Sequence, residues 1–176
     1  MTKQEFLQKI LKFHESSFDI TRPFDAGNSA YDAYASFNVT GTKYVLVKKA
    51  ELWRADCFEH VFFMCAESLR REDADRVAGD MEMYIEPEIV RGGRKYPDKN
   101  HMYTYVTFIF ISEKKPAEDA LDVLKKFRYM KNYRLGIRGY CEARVLLFDL
   151  ENRQIIGNRA AKDMVKGYGK IRDLWE

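Results

Sequence analysis

The sequence is poor in the residues that break or staple a chain. Its 176 residues include 4 Pro, 10 Gly and 3 Cys. So few Pro and Gly exclude collagen-like and low-complexity chains. Cys57, Cys65 and Cys141 are odd in number and scattered, which is not a disulfide framework. They are expected to be reduced thiols in a cytoplasmic protein. No run approaches 18 consecutive apolar residues, so neither a membrane span nor a membrane partner is expected. The opening MTKQEFLQKILKFHE interrupts every apolar pair with charge, unlike the apolar core of a signal peptide.

What is present suits one soluble globular domain spanning 1–176. The chain is 46% hydrophobic and 14% aromatic, too rich in rings for intrinsic disorder. A chain this long buries roughly 70% of the surface its unfolded form exposes, enough for one core. Lys and Arg number 30 against 27 Asp and Glu. The resulting +3 permits nucleic acid as a partner without arguing for it.

Periodicity gives the element order. Residues 2–18 read as an amphipathic helix through Phe6, Leu7, Ile10, Leu11, Phe13 and Phe18. Thr2 and Glu5 have capping-box spacing. Asp19 to Ser29 is a loop. Tyr31–Val39, Tyr44–Ala55 and Phe58–Glu67 read as three strands, with a turn at Thr40-Gly41-Thr42 and an antiparallel meander as the simplest arrangement. Residues 70–90 read as a helix that Pro87 should kink or restart near Glu86. Met102–Ile111 is apolar on both faces, which predicts a central strand. Pro116 opens a third helix. Tyr140–Leu150 and Gln154–Ile156 are the last strands, and Asn158 is a cap for a final helix through Lys166.

The order α-β-β-β-α-β-α-β-β-α predicts an α+β fold. Its expected form is an α/β sandwich, a mixed sheet of five or six strands with helices on both faces. The long connection between the 102–111 and 140–150 strands makes that pair parallel.

Two stretches, KNHMYTYVTFIFIS at 99–112 and LKKFRYMKNYRLGIRGYCEARVLLFDLENRQI at 124–155, resemble a family of uncharacterised bacterial proteins, mostly from Firmicutes. That family carries no established activity, so the resemblance implies a bacterial cytosolic protein and transfers no catalytic residue. The element order is also similar to the core of restriction-endonuclease-like nucleases. Those enzymes hold Mg²⁺ with an Asp and a Glu-x-Lys. Here Asp98 and Glu113-x-Lys115 carry the string, but fifteen residues of extended chain separate the two carboxylates by roughly 50 Å. A metal needs its oxygens within about 2–2.6 Å, so neither a catalytic set nor a metal or cofactor site is expected.

Other constellations are weaker. Cys57 and Cys65 share strand parity, but His60 points the other way. Arg91-Gly92-Gly93-Arg94-Lys95 lacks P-loop spacing and reads as a connector. Lys48-Lys49 and Lys114-Lys115 read as charged strand edges and ends.

Glu142 and Arg144 share one face of the 140–150 strand with Tyr140, and Glu51 has a similar claim to a polar pocket. If that face is covered, the charges must be paired. Arg134 and Arg138 lie past a helix end, within a basic stretch interleaved with Phe127, Tyr129, Tyr133 and Tyr140. Cations with rings compose a single-strand binding surface. The candidate binding residues are therefore Arg134, Arg138, Tyr140, Glu142, Arg144 and Glu51. The expected function is a non-enzymatic binding or interaction domain, with a second copy of the chain as one candidate partner. The alternative is a catalytically degenerate, nuclease-like protein that binds nucleic acid or another anion.

Overall fold

The structure, a computed structural model, describes residues 1–45 and 50–176, with side chains outside 41–54. The Lys48-Lys49 pair and the Glu51 side chain therefore lie outside the described residues. Helix α1 (Lys3–His14) opens the chain. Its capping box forms as the spacing predicts: Glu5 N–H donates to Thr2 Oγ1 at 3.2 Å, and Thr2 N–H to Glu5 Oε2 at 2.7 Å. Phe6, Leu7, Ile10 and Leu11 make its buried stripe. Phe13 falls outside that stripe and is exposed.

Short strands β1 (Asp19–Thr21), β2 (Phe24–Ala26) and β3 (Ser29–Tyr31) follow. The expected loop thus contains pairing strands, each too short to show a period. Strand β4 (Ala33–Val45) then runs through Thr40-Gly41-Thr42, so no turn forms there. Strand β5 (Ala50–Ala66) unites the two strands expected at 44–55 and 58–67. The meander is one long antiparallel hairpin, with Ala33 opposite Phe63 and Val45 opposite Ala50.

Helix α2 (Arg71–Asp80) continues into a π-helix over Met81–Val90. Pro87 lies inside it, and the π-helix runs on past it to Val90. In the wider ladder, Arg91 N–H donates to Glu86 O, five residues back, at 3.1 Å. Strand β6 (His101–Ser112), helix α3 (Glu118–Lys126), β7 (Met130–Asn132), β8 (Tyr140–Asp149) and β9 (Gln154–Gly157) follow. A 3₁₀ turn, Arg159–Ala161, capped by Asn158, leads into α4 (Lys162–Tyr168).

Among the described residues the main sheet has seven strands, not five or six, in the order β1-β4-β5-β6-β8-β7 with β9 also on β8. β6 is central, as its two-sided apolarity predicts, and parallel to β8, as the long crossover predicts; it is also parallel to β5. Strands β2 and β3 form a separate pair. One face packs Phe62, Phe108, Phe110, Val145 and Leu147 against α2, the π-helix and α3. The other packs Val61, Phe63, Ile109, Leu146 and Phe148 against α1 and the α4 region. Each fully buried side chain of this size stabilises the fold by about 1.5–3 kcal/mol relative to exposure. No helix among the described residues is long and apolar enough to cross a membrane.

Candidate functional site

The pairing registers lay out a grid on the α1 side of the sheet. Across β4, β5, β6 and β8 the first row is Val39, Cys57, Tyr103 and Tyr140. The second is Phe37, Glu59, Tyr105 and Glu142. The third is Ala35, Val61, Thr107 and Arg144. The fourth, Ala33, Phe63, Ile109 and Leu146, lies in the core under α1. Beyond the third row the helices give out, and the first two rows are only partly buried or exposed. The expected dichotomy of a covered, paired face or an open one resolves as open.

Three rings dominate the opening. Tyr103 and Tyr105 have centroids 4.8 Å apart, and Tyr103 and Tyr140 6.0 Å. The Tyr105 and Tyr140 hydroxyls lie 3.0 Å apart. That hydroxyl contact, helped by burial, pushes Tyr140 up to about 12. The Arg144 guanidinium leans over Tyr105, 3.3 Å from the ring centroid. Its Nε is buried without a hydrogen-bond partner among the described residues.

Glu59 and Glu142 flank Tyr105 on the neighbouring strands, so their Cα atoms are about 10 Å apart. Thr107 Oγ1 donates to Glu59 at 3.4 Å. No ion pair within 4 Å among the described residues involves Glu59, Glu142 or Arg144. A cavity of about 150 Å³ opens between Phe37, Glu59, Tyr103, Tyr105 and Arg144.

Tyr140, Glu142 and Arg144 thus come together as their shared parity predicts. Glu59, Tyr103 and Tyr105 were not singled out from sequence. Their parity was readable, but the apolar run of β6 hid its two tyrosines. Only the parallel register sets them beside Glu142.

Arg134 and Arg138 lie elsewhere, in the loop between β7 and β8. Arg134 is exposed and sits 5.7 Å from the Tyr96 ring centroid. The Arg138 carbonyl accepts from His101 Nδ1 at 2.7 Å. The rings expected to stack beside them do other work. Tyr133 is 2% exposed and donates to Glu86 Oε1 at 2.8 Å. Phe127 and Tyr129 pack on the core.

The remaining sequence candidates separate. Asp98 precedes β6 and Glu113 follows it, so the twelve-residue strand holds them apart. Glu113 accepts from Lys3 N–H at 3.0 Å, and Asp98 pairs with Arg94 at 2.6 Å. No group of three metal-ligating side chains forms among the described residues. His60 lies on the opposite face from Cys57 and Cys65 and meets the Tyr34 hydroxyl at 2.6 Å. Cys57, Cys65 and Cys141 are free thiols.

Several groups make the fold acid-sensitive: burial lowers His14 and His101 as well, but His60 and Glu86 carry the clearest causes. Burial pushes His60 down to about 4. Burial works to raise Glu86, but hydrogen bonds from Arg91, Lys131 and Tyr133 outweigh it and hold the carboxyl below its usual range. His60 stays neutral in the fold while the unfolded chain protonates near 6.5, so its stabilisation is whole above that pH and lost toward 4. The Glu86 share is present above about 4.5 and lost as pH falls through its depressed value. Melting temperature should therefore fall between pH 7 and 4, with His60 accounting for up to about 3 kcal/mol. His60→Gln should flatten the upper part of that profile. A melting temperature constant from pH 7 to 4 would contradict this account.

No curated protein and no solved structure matches the chain. A family profile does, over residues 2–170. The chain belongs to that family, described as a domain of unknown function (DUF8052).

Proposed function

We propose that the protein is a non-enzymatic binding domain and that its seat is the uncovered tyrosine grid, which takes a small cationic group. One observation carries the reading. Two carboxylates, Glu59 and Glu142, flank a tyrosine whose face already stacks a guanidinium, and neither is ion-paired among the described residues. Ring faces attract cations. With Arg144 counted, the described charged groups of the grid sum to −1, which disfavours phosphates. The 150 Å³ cavity is below the ~300–1,000 Å³ of drug-sized pockets, so it suits a head group or a side chain. The whole chain is read as one domain, in the bacterial cytosol. The scattered free thiols support that compartment.

The nucleic-acid alternative keeps Arg134 and Arg138 but loses Phe127, Tyr129 and Tyr133 to the core, and Tyr140 lies on the grid instead. A titration with tetramethylammonium, guanidinium and acetate, followed by NMR of the tyrosine rings, tests the reading. The two cations should shift Tyr103 and Tyr105 with Kd near or above about 1 mM. Glu59→Gln with Glu142→Gln should weaken both at least tenfold. Acetate binding in preference to the cations, or cation shifts indifferent to the double variant, would overturn the proposal.

A further inference from the structure

The loop between β7 and β8 is built in an unusual way. Tyr133 N–H donates to Gly139 O, Arg138 N–H to Tyr133 O, Gly136 N–H to Tyr133 O, and Ile137 N–H to Arg134 O, all at 2.9–3.1 Å. Arg134, Leu135, Gly136 and Gly139 all have positive φ. The loop is therefore a locked turn. At its tip Leu135 is 101% exposed and Ile137 75% exposed.

Leu135 is disfavoured twice. A leucine at φ +55 occupies the left-handed region that suits Gly or Asn. It also gives its whole side chain to water. Nothing among the described residues compensates, which points to a reason for the leucine outside the chain.

The surroundings say what kind of partner fits. The Arg134 guanidinium and the Lys95 ammonium lie 5.7 and 5.5 Å from the Tyr96 ring, which is itself partly exposed. Arg138 follows within the same loop. The neighbouring acid, Asp98, is paired with Arg94. Two aliphatic tips, an amphipathic ring and a collar of cations match a lipid interface, where aliphatics enter the acyl boundary and cations meet anionic head groups. A nucleic acid offers phosphates and base faces but no apolar phase for Leu135 and Ile137.

We infer that this loop docks the protein on an anionic membrane surface. The expectation of no membrane partner came from the lack of long apolar runs, which cannot register two aliphatic residues at one turn. The inference is independent of the tyrosine grid, which lies on the sheet face.

Cosedimentation with vesicles tests it. The whole protein should bind phosphatidylcholine vesicles containing about 30% phosphatidylglycerol at about 50 mM salt, and pure phosphatidylcholine at least tenfold more weakly. Binding should weaken at about 500 mM salt, where screening is short-ranged. Leu135→Asn with Ile137→Ser should reduce binding at least tenfold with no fall in melting temperature, since Asn tolerates the left-handed backbone. Arg134→Glu with Arg138→Glu should erase the preference for anionic lipid. Three results would overturn the inference: no wild-type binding to anionic vesicles, undiminished binding by the Leu135 and Ile137 variant, or tighter binding to a single-stranded oligonucleotide than to vesicles of equal phosphate.

Discussion

Gly139→Ala is expected to be the most damaging single substitution in the protein. Gly139 has φ +70 and lies where the turn before β8 crosses the start of β6. A Cβ there would stand 2.0 Å from the Met102 carbonyl oxygen and 3.0 Å from His101 Nδ1. The obstacle is backbone of the central strand, which cannot swing aside. Relief requires separating β8 from β6 or breaking the contact of His101 with the Arg138 carbonyl. We expect a loss above about 4 kcal/mol, in the range reserved for gross steric or backbone conflict. Gly136→Ala is the control. Gly136 has φ +88 but nothing within 4 Å of the added carbon, so only the backbone penalty of about 1–2 kcal/mol applies. Chemical denaturation of the two variants separates steric conflict from strain. Equal losses would show that strain, not the Met102 carbonyl, is what Gly139 avoids. Because Gly139 immediately precedes Tyr140, the substitution should also displace the first row of the tyrosine grid.

Asn158→Leu should rank second. The outer edge of β8 is served by β7 as far as Glu142 and by β9 from Leu146 onward. Between them the edge has no strand partner. Asn158 fills part of the gap: its Oδ1 accepts from Val145 N–H at 3.1 Å, and its Nδ2 donates to Ala143 O at 3.4 Å. The same oxygen accepts from Ala161 N–H at 3.1 Å, and Nδ2 also reaches Phe127 O at 3.2 Å. One buried amide thus joins β8, the end of α3 and the turn into α4. Leucine has a similar volume but leaves the Val145 N–H and the Ala143 carbonyl unsatisfied in the interior, whereas Ala161 N–H keeps the residue 158 carbonyl and Phe127 O keeps Arg128. Each of the two orphans costs about 1–3 kcal/mol, so a total of about 2–6 kcal/mol is expected. In a domain of this size that lowers the melting temperature by roughly 10 °C. Lys162→Ala, at an exposed position in the same segment, should stay within about 0.5 kcal/mol. A melting temperature for Asn158→Leu within 2–3 °C of wild type, a shift of about 1 kcal/mol, would mean that water serves these groups instead.

The candidate site shows how far local pattern carries. Tyr140, Glu142 and Arg144 share a face because side chains alternate along any strand, and that is visible in one line of sequence. Whether the face is covered depends on where α1 and α4 end in space. Glu59 and Tyr105 become neighbours of Glu142 only through two parallel registers. A one-residue slip in either would turn them to the opposite face. Tyr133 looked like a ligand-facing ring because its sequence neighbours are cationic. It is instead a core ring, since the buried Glu86 carboxylate takes its hydroxyl.

The sequence by itself determined the elements whose signal is chemical and local. The Thr2 and Glu5 caps of α1, the two-sided apolarity that centres β6 and the Asn158 cap were legible because each rests on a few contiguous residues, and the parallel pairing of β6 with β8 because it follows from the length of one connection. Tertiary structure alone decided the rest. Thr40-Gly41-Thr42 has turn composition, yet pairing with β5 carries the strand through it. No turn residue marks the expected break before Phe58, and the same pairing makes one strand of two. Pro87 should interrupt an α-helix, yet the chain widens into a π-helix that runs on past it to Val90. In each case long-range pairing or packing supplies more free energy than the local preference of a few residues, which rarely exceeds about 1 kcal/mol apiece outside proline.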